Sequence, residues 1–246
     1  MTLWCFGDSY ITSKNNNWTS EIATYLECDE KNFGICGSSL EFMYSMFDQA
    51  TFDDNDYVII VLTEINRRYF FPQYPDVSTP TLPDSVLSKV SRLERKAMNQ
   101  YFIHLNNDSV HKANLKNFLY HVQYVTERKN LTTIVFNCFS DYEFINNTNY
   151  PNLVLVPGTL FSISAGEIEN SPWFYQKFGN MDIRANHLCL TNHRILADKV
   201  INYYKTQTPI VLDGFVTDII TDNNYRDLIF QEAELSLEIL KFVDLR

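Results

Sequence analysis

The first residues that could do chemistry stand where the first apolar run ends. Gly7, Asp8 and Ser9 follow the predicted strand Thr2–Phe6, in which every residue after Thr2 is apolar. Because Gly, Asp and Ser all favour turns for local backbone reasons, one interpretation of this tripeptide is a simple turn. The other is a nucleophilic serine at a strand-to-helix corner, which needs a general base such as histidine nearby. The choice depends on what other groups the chain brings to the same place.

Glycine and polar residues also follow the next predicted strands. Gly34 and Gly37 lie in the stretch NFGICGSS, Asn66 follows the third apolar run, and His187 stands just before a predicted helix. In an open parallel sheet the carboxyl ends of the strands form the ligand-binding crevice, so these groups would meet there. Three of the seven glycines fall in the first two corners. Such a concentration indicates sharp bends or a close approach to a ligand rather than ordinary turns.

Three common motifs of α/β enzymes do not occur in the sequence. The stretch GICGSS lacks the third glycine of the dinucleotide fingerprint GxGxxG, and no Walker sequence is present. Tyr10 and Ile11 follow Ser9, so the GxSxG elbow of α/β-hydrolases is also missing. These motifs therefore do not explain the glycine-rich corners.

The order of these groups resembles the SGNH (GDSL-type) hydrolase family over residues 2 to about 205. The segment FGDSY at 6–10 matches the first block of the family, and NFGICGSS at 32–39 looks like the second. The segment HLCLTNHRILA at 187–197 is similar to the last block, in which a histidine precedes a helix. The opening and the Asn-rich, glycine-poor composition also look like SGNH-type proteins from tailed phages.

The resemblance implies a role for each matched residue. Ser9 would be the nucleophile, and His187 would be the base that takes its proton. The backbone N–H groups of Ser9 and Gly37 and the side-chain amide of Asn66 would form the oxyanion hole. Such donors act because they are in place before the charge develops, and the loss of one typically costs about 10²–10³ in turnover.

Two positions depart from the family pattern. The third block usually reads Gly-x-Asn-Asp, whereas this chain has Thr63-Glu64-Ile65-Asn66. The acid of the triad normally lies three residues before the histidine, a position that holds Arg184. Asp182, two residues further back, could orient His187 if the loop bends. Otherwise a backbone carbonyl would orient the imidazole, and the site would be a dyad.

Charge and cysteine content limit the partners and the compartment. The net charge of −10 would repel the phosphates of a nucleic acid. Five cysteines without a CxxC pair indicate small buried side chains in a reducing compartment, not disulfides. No secretory signal precedes the first strand, and the longest apolar run, Tyr57–Leu62, is too short to span a bilayer. We therefore expect a soluble protein, cytoplasmic or virion-associated, with no cofactor and no metal.

The alternation of strands and helices predicts an α/β fold. Apolar runs predict strands at Thr2–Phe6, Asn32–Cys36, Tyr57–Leu62, Leu131–Cys138 and Leu153–Pro157. Helical patterns are found at Trp18–Leu26 and Leu40–Phe47, after Asp84, after Asp108, and after His187. The run Tyr57–Leu62 is apolar throughout, which is typical of a parallel strand buried on both faces. We predict a three-layer α/β/α sandwich with a five-stranded parallel sheet, the SGNH or flavodoxin-like arrangement.

We predict a hydrolase domain over residues 1–206 and a C-terminal extension over residues 207–246. The domain would carry a Pro-rich loop at 72–83, which holds four of the eight prolines, and a helical insertion at 84–129. The extension would form two short strands around Asp213-Gly214 and a helix over Tyr225–Val243. This helix is apolar on more than one face, which predicts a homo-oligomer or docking onto a larger assembly through the helix.

Several polar residues receive structural interpretations. We expect Asp8 to stabilise the turn at Ser9. The remaining histidines are expected at the surface or its boundary: His104, His111, His121 and His193. The acids Asp141 and Glu143 are expected in a solvated loop.

The expected reaction is hydrolysis of a small acyl ester, including an O-acetyl group on a carbohydrate, through an acyl-enzyme on Ser9. An acyltransferase would use the same serine and differ in the acceptor. A third hypothesis from another class is a virion-associated structural or interaction protein that kept the fold and lost efficient chemistry.

Overall fold

The fold is built on a five-stranded parallel sheet, which confirms the predicted fold class. The computed structural model describes residues 1–12, 17–35, 37–65, 67, 91–146, 150–168 and 188–220. The strands are β1 (Thr2–Phe6), β2 (Asp29–Asn32), β3 (Tyr57–Leu62), β4 (Thr132–Asn137) and β5 (Leu153–Thr159). They are ordered β2-β1-β3-β4-β5, and each neighbouring pair is parallel.

Helices connect the strands, and most of them begin at a side chain that caps the first turn. They are α1 (Trp18–Tyr25), α2 (Leu40–Asp48), α3 (Arg92–His104), α4 (Asp108–Lys129), α5 (Glu143–Asn146), α6 (Leu160–Gly166) and α7 (Leu190–Thr206). Asn17, Ser39 and Thr159 cap α1, α2 and α6 with side-chain oxygens that accept backbone N–H groups. None of the helices in the described ranges is long and apolar enough to cross a membrane.

The two faces of the sheet carry separate hydrophobic cores, because side chains alternate along each strand. Leu3 and Cys5 of β1 face a core shared with α1, α6 and α7. Trp4 and Phe6 face the opposite core, shared with α2 and α4. Helices therefore cover both faces of the sheet, as the predicted three-layer sandwich requires.

The strand order fixes where a ligand crevice can form. The chain moves from β1 to β2 on one side and then crosses to β3 on the other side of β1. The loops after β1 and β3 therefore leave the sheet in opposite directions and open a crevice between them. Ser9 follows β1 at this switch point.

Strand β2 begins three residues earlier than predicted, at Asp29 instead of Asn32. It lies at the edge of the sheet and pairs with β1, so its polar side chains can point to solvent. The predicted apolar segment Asn32–Cys36 instead enters the glycine-containing corner, where the Phe33 ring stacks on Phe6 at 5.4 Å between centroids. An edge strand needs few apolar residues, so the prediction, which followed the apolar residues, placed β2 too late in the chain.

Two histidines that we expected at the surface are buried. His111 and His193 are 2% and 5% exposed. His111 lies four residues before Leu115 on the buried face of α4, and His193 lies four before Ala197 on the buried face of α7. Their helical spacing with core residues explains their burial. His104 is exposed and His121 half-buried, in line with the prediction for those two.

The two strands predicted between residues 209 and 220 do not form. Over 207–219, all of which the structure describes, the backbone is irregular, and Ile220 makes a single parallel bridge with Ile168. The backbone N–H groups of residues 218–220 donate to the carbonyls of Gly166 and Glu167, at the end of α6. The segment is thus held by the end of a helix and not by a neighbouring strand. The predicted helix Tyr225–Val243 and the Pro-rich loop lie outside the described residues.

Candidate functional site

Ser9 lies in a tight turn directly after β1. The backbone N–H of Ile11 donates to the Asp8 carbonyl at 3.2 Å, and the N–H of Tyr10 donates to Asp8 Oδ1 at 3.2 Å. The predicted role of Asp8 in stabilising this turn is therefore confirmed. Ser9 itself is 5% exposed, so it lies at the bottom of its corner and not on a protruding loop.

The corner before Ser9 requires glycine because other parts of the chain approach it closely. A Cβ atom on Gly7 would lie 2.9 Å from Val61 Cβ, from the Val61 carbonyl oxygen and from Ile11 Cγ2. Such distances are shorter than real Cβ contacts, so a side chain there would displace β3. The turn is thereby pressed against the neighbouring strand.

Side-chain hydrogen bonds join the corners after β1, β2 and β3. Ser38 Oγ donates to the Gly7 carbonyl at 2.8 Å, and Thr63 Oγ1 donates to the Ser38 carbonyl at 2.9 Å. Gly37, next to Ser38, has φ of +73°, a left-handed conformation that favours glycine. The structure therefore brings the first predicted block, the second block and the start of the third block together at one edge of the sheet.

A buried ion pair lies next to Ser9 in this edge. Arg67 Nη1 is 3.1 Å from Asp8 Oδ2 and donates to Thr63 Oγ1 at 2.9 Å. The Asp8 side chain is fully buried, and Cys138 Sγ donates to its Oδ1 at 3.3 Å. Burial, reinforced by the Asp8 carboxylate, raises the pKa of the Cys138 thiol well above its usual range, so this thiol keeps its proton. The residue before Ser9 therefore carries a buried carboxylate that a guanidinium and a thiol hold in place.

Tyr142 holds the loop after β3. Its hydroxyl donates to the Thr63 carbonyl at 3.1 Å and accepts the N–H of Ile65 at 3.2 Å. Burial raises the pKa of Tyr142 to about 12, so the phenol stays protonated and remains a donor at neutral pH. Tyr142, which follows β4, therefore fixes the backbone of Thr63 and Ile65, just before Asn66.

The predicted site residues divide into two groups. Ser9 and Gly37 meet at the edge just described. Asn66, Asp182 and His187 lie outside the described residues, so their predicted roles stay predictions. Asp141 and Glu143, expected as solvated loop acids, are both exposed. Asp141 lies in the loop after β4, whereas Glu143 is the first residue of α5. Within the described ranges, no cluster of three or more side chains suitable for a metal ion occurs.

The chain directly after His187 is well anchored. Leu188 is 1% exposed and belongs to the core cluster that contains Tyr10 and Ile11. Cys189 caps α7, and its N–H donates to the buried carboxylate of Glu167 at 2.9 Å. Glu167 Oε1 also accepts the side-chain N–H of Asn192 at 2.7 Å.

Sequence reasoning missed both Arg67 and Glu167. Arg67 is 59 residues from its partner Asp8, and Glu167 is 22 residues from Cys189. Contacts over such separations leave no local pattern of hydrophobicity or spacing. The sequence offered one signal for these two residues, a charged residue close to a predicted strand or helix end. This signal is weak, because many surface loops carry such residues.

Comparison of the sequence with models of known protein families and with curated proteins finds no match. The resemblance to SGNH hydrolases stays a prediction from the three sequence blocks. Of these, the first and second adjoin in the fold through the Ser38–Gly7 hydrogen bond.

Proposed function

We propose that this protein is a serine ester hydrolase of the SGNH type, with Ser9 as nucleophile and His187 as base. The observation that carries the proposal is the position of Ser9. It follows the first strand, at the switch point of a parallel sheet, in a turn held by a buried carboxylate. This is where α/β folds of this kind bind ligands.

The proposed reaction has two steps. Ser9 Oγ attacks the ester carbonyl carbon while His187 takes its proton, and the alkoxide leaves with that proton to give an acyl-enzyme. Water then attacks the acyl carbon and gives its proton to His187. The C–O bond to Ser9 breaks to release the acid, and His187 returns the proton to Ser9 Oγ. Each step forms an oxyanion, for which the N–H groups of Ser9 and Gly37 and the amide of Asn66 are the proposed donors.

The anchoring of the two loops supports the pairing of Ser9 with His187. Leu188 follows His187 and Tyr10 follows Ser9, and both are buried in one core cluster. The residues that follow the two proposed catalytic residues are therefore buried in the same core. A shared rigid core of this kind supports the proposal, because an acyl-transfer site needs preorganised groups.

The described surroundings of Ser9 favour a small and uncharged acyl group. Ser9 is 5% exposed, which leaves little room beside it for a long acyl chain. Arg67 is paired with Asp8 at 3.1 Å and with Glu64 at 3.6 Å, so its positive charge is balanced by carboxylates. An acetyl ester, including an O-acetyl group on a carbohydrate, fits this description better than an anionic acyl group.

Labelling with a fluorophosphonate tests the proposal, because this probe reacts covalently with activated serines. We expect the wild-type protein to be labelled and to hydrolyse p-nitrophenyl acetate, and Ser9→Ala to lose both while keeping its melting temperature. Ser162→Ala is the matched control, since Ser162 is exposed on α6 and bonds the Thr159 carbonyl. Equal labelling of the wild type and Ser9→Ala would refute the proposal. A folded wild type that neither labels nor hydrolyses would favour the interaction-protein hypothesis.

A further inference from the structure

Two buried polar side chains lie one turn apart at the end of α6. Ser164 is 1% exposed and Glu167, the residue that caps the C-terminus of α6, is fully buried. Residues three apart on a helix lie on the same side, so both side chains can act on neighbouring segments at once. A buried carboxylate is costly unless several donors satisfy it, which makes Glu167 a residue that needs an explanation.

Ser164 bonds the residue that follows the proposed nucleophile. Its Oγ lies 2.6 Å from the hydroxyl of Tyr10 and donates to the Phe161 carbonyl at 3.0 Å, so the Tyr10 hydroxyl is the donor of the first bond. The Tyr10 carbonyl accepts Trp18 Nε1–H at 2.9 Å. Tyr10 is therefore held at both its side chain and its backbone.

Glu167 bonds the segment that follows the proposed base. Its two carboxylate oxygens accept the Cys189 N–H at 2.9 Å and 3.1 Å, and Oε1 accepts Asn192 Nδ2–H at 2.7 Å. The carboxylate thus lies at the N-terminus of α7, where the helix dipole favours a negative charge. Asn192 also exchanges two hydrogen bonds with the backbone of Val216, which fixes its side chain.

We propose that Ser164 and Glu167 form a positioning bridge, which holds Tyr10 and Cys189 on one turn of α6. Tyr10 follows the proposed nucleophile Ser9, and Cys189 stands two residues after the proposed base His187. The inference rests on the proposed function. One turn of α6 joins the residue after Ser9 to the residue two after His187, so the bridge fixes both segments relative to one rigid element. Errors of about 1 Å in such an alignment can cost about 10² in rate. The two residues act through Tyr10 and Cys189, and they are positioning residues.

Steady-state kinetics on p-nitrophenyl acetate test the bridge with Ser164→Ala, Tyr10→Phe and Glu167→Gln. Ser164→Ala and Tyr10→Phe remove the same hydrogen bond from its two ends, so one can replace the other if a variant does not fold. Glu167→Gln keeps the size of the side chain but places an N–H donor among groups that donate. Ser162→Ala, exposed on the same helix, is the control.

We expect kcat to fall about tenfold or more in each bridge variant while KM stays within about twofold, because alignment and not binding is lost. In the double variant Ser164→Ala/Glu167→Gln, the combined loss should be smaller than the product of the two single losses, since both disturb one separation. Wild-type kcat in the bridge variants would overturn the inference. Equal changes in KM and kcat that track the melting temperature would overturn it as well, because they indicate a general loss of structure.

Hydrogen exchange separates this inference from the proposed function. If Ser9→Ala hydrolyses as fast as the wild type, the proposed function fails. Amide hydrogen exchange then tests whether Ser164 and Glu167 still hold the two segments in place. We expect faster exchange over residues 188–192 in Glu167→Gln and over residues 8–11 in Ser164→Ala, with no change in Ser162→Ala. Unchanged exchange in both segments would overturn the bridge independently of any activity.

Discussion

The guanidinium of Arg67 lies 3.1 Å from the fully buried carboxylate of Asp8, so a charged pair joins the loop after β3 to the turn that contains Ser9. The side chain of Arg67 is 12% exposed, and its guanidinium lies 4.7 Å from the centre of the Phe139 ring. The pair therefore has little contact with water. Removing one member of such a pair leaves a buried charge without its partner.

Arg67→Met should lower the free energy of unfolding by about 3–5 kcal/mol, because the Asp8 carboxylate would stay buried without its cation. The double variant Asp8→Asn/Arg67→Met should be more stable than Arg67→Met alone, since the orphaned charge is gone. Urea denaturation measures both. The control is Arg194→Met, which removes an exposed pair with Glu21 at 3.8 Å and should change stability by less than about 1 kcal/mol. Equal effects of the two Arg→Met substitutions would contradict a special role for the buried pair.

Gly37→Val should lower ester hydrolysis by about 10² or more, because a β-branched side chain strains the left-handed backbone and crowds the proposed oxyanion hole. Gly214→Val is a matched control. Gly214 also has a positive φ, of +68°, and nothing lies within 4 Å of the position of its Cβ. We expect the two variants to lose similar stability in thermal melts but only Gly37→Val to lose turnover. Similar turnover in both would remove Gly37 from the site.

Asp182→Asn should lower kcat by about 10⁴ if the site is a triad, as removal of the orienting acid does in a well-studied protease. Asp198→Asn, at an exposed position on α7, is the control and should hydrolyse normally. Steady-state kinetics on p-nitrophenyl acetate provide the measurement. A loss of less than about tenfold in Asp182→Asn would favour a dyad in which a backbone carbonyl orients His187.

The thiol of Cys189 should react slowly with iodoacetamide at pH 8. Burial, with the Glu167 carboxylate as the next contribution, raises its pKa from 9.0 to about 11. The reactive thiolate is then about 100-fold scarcer than in an ordinary cysteine and should increase about tenfold per pH unit up to about pH 11. Glu167→Gln should accelerate alkylation of Cys189 but not of half-buried Cys28, as measured on the separated peptides. If the rate at Cys189 does not respond, no carboxylate charge acts there.

Deleting residues 222–246 should convert an oligomer to a monomer that keeps fluorophosphonate labelling at Ser9. The prediction follows from the apolar residues on more than one face of the predicted helix Tyr225–Val243, which a partner would cover. Light scattering on the full chain and on the truncated chain provides the measurement. A monomeric full-length protein would contradict the prediction.

The central strands were predictable because their surroundings are uniform. The runs Thr2–Phe6 and Tyr57–Leu62 match β1 and β3 residue for residue, since strands buried on both faces must be apolar throughout. The edge strand β2 did not follow this rule because solvent accepts its polar side chains. The helix predicted after Asp84 begins among residues that the structure does not describe. In the described part of the chain, α3 begins at Arg92, where Ser91 and Glu94 form a capping box.

The meeting of Ser9 and Gly37 at one edge of the sheet was predictable from sequence, whereas the distant side chains that support this edge were not. Both residues follow predicted parallel strands, whose carboxyl ends must meet at the same edge of the sheet. Arg67 pairs with Asp8 beside Ser9, and Glu167 bonds the Cys189 N–H at the start of α7. Both are common surface residue types whose burial emerges only in the fold. Residues at the ends of predicted strands are therefore easier to place from a sequence than the distant residues that hold them.

The edges of the sheet have a consequence for how copies of this chain can associate. One edge, β2, consists of Asp, Glu, Lys and Asn, and none of the four is buried. The other, β5, contains Pro157, which has no N–H to offer, and its pairing with β4 shifts register between Phe136 and Asn137. Charged edges, proline and irregular pairing all oppose the addition of a further strand. Extension of this sheet from one molecule into the next is thereby discouraged, which protects the chain from fibril-like growth and leaves helical surfaces as the route to assembly.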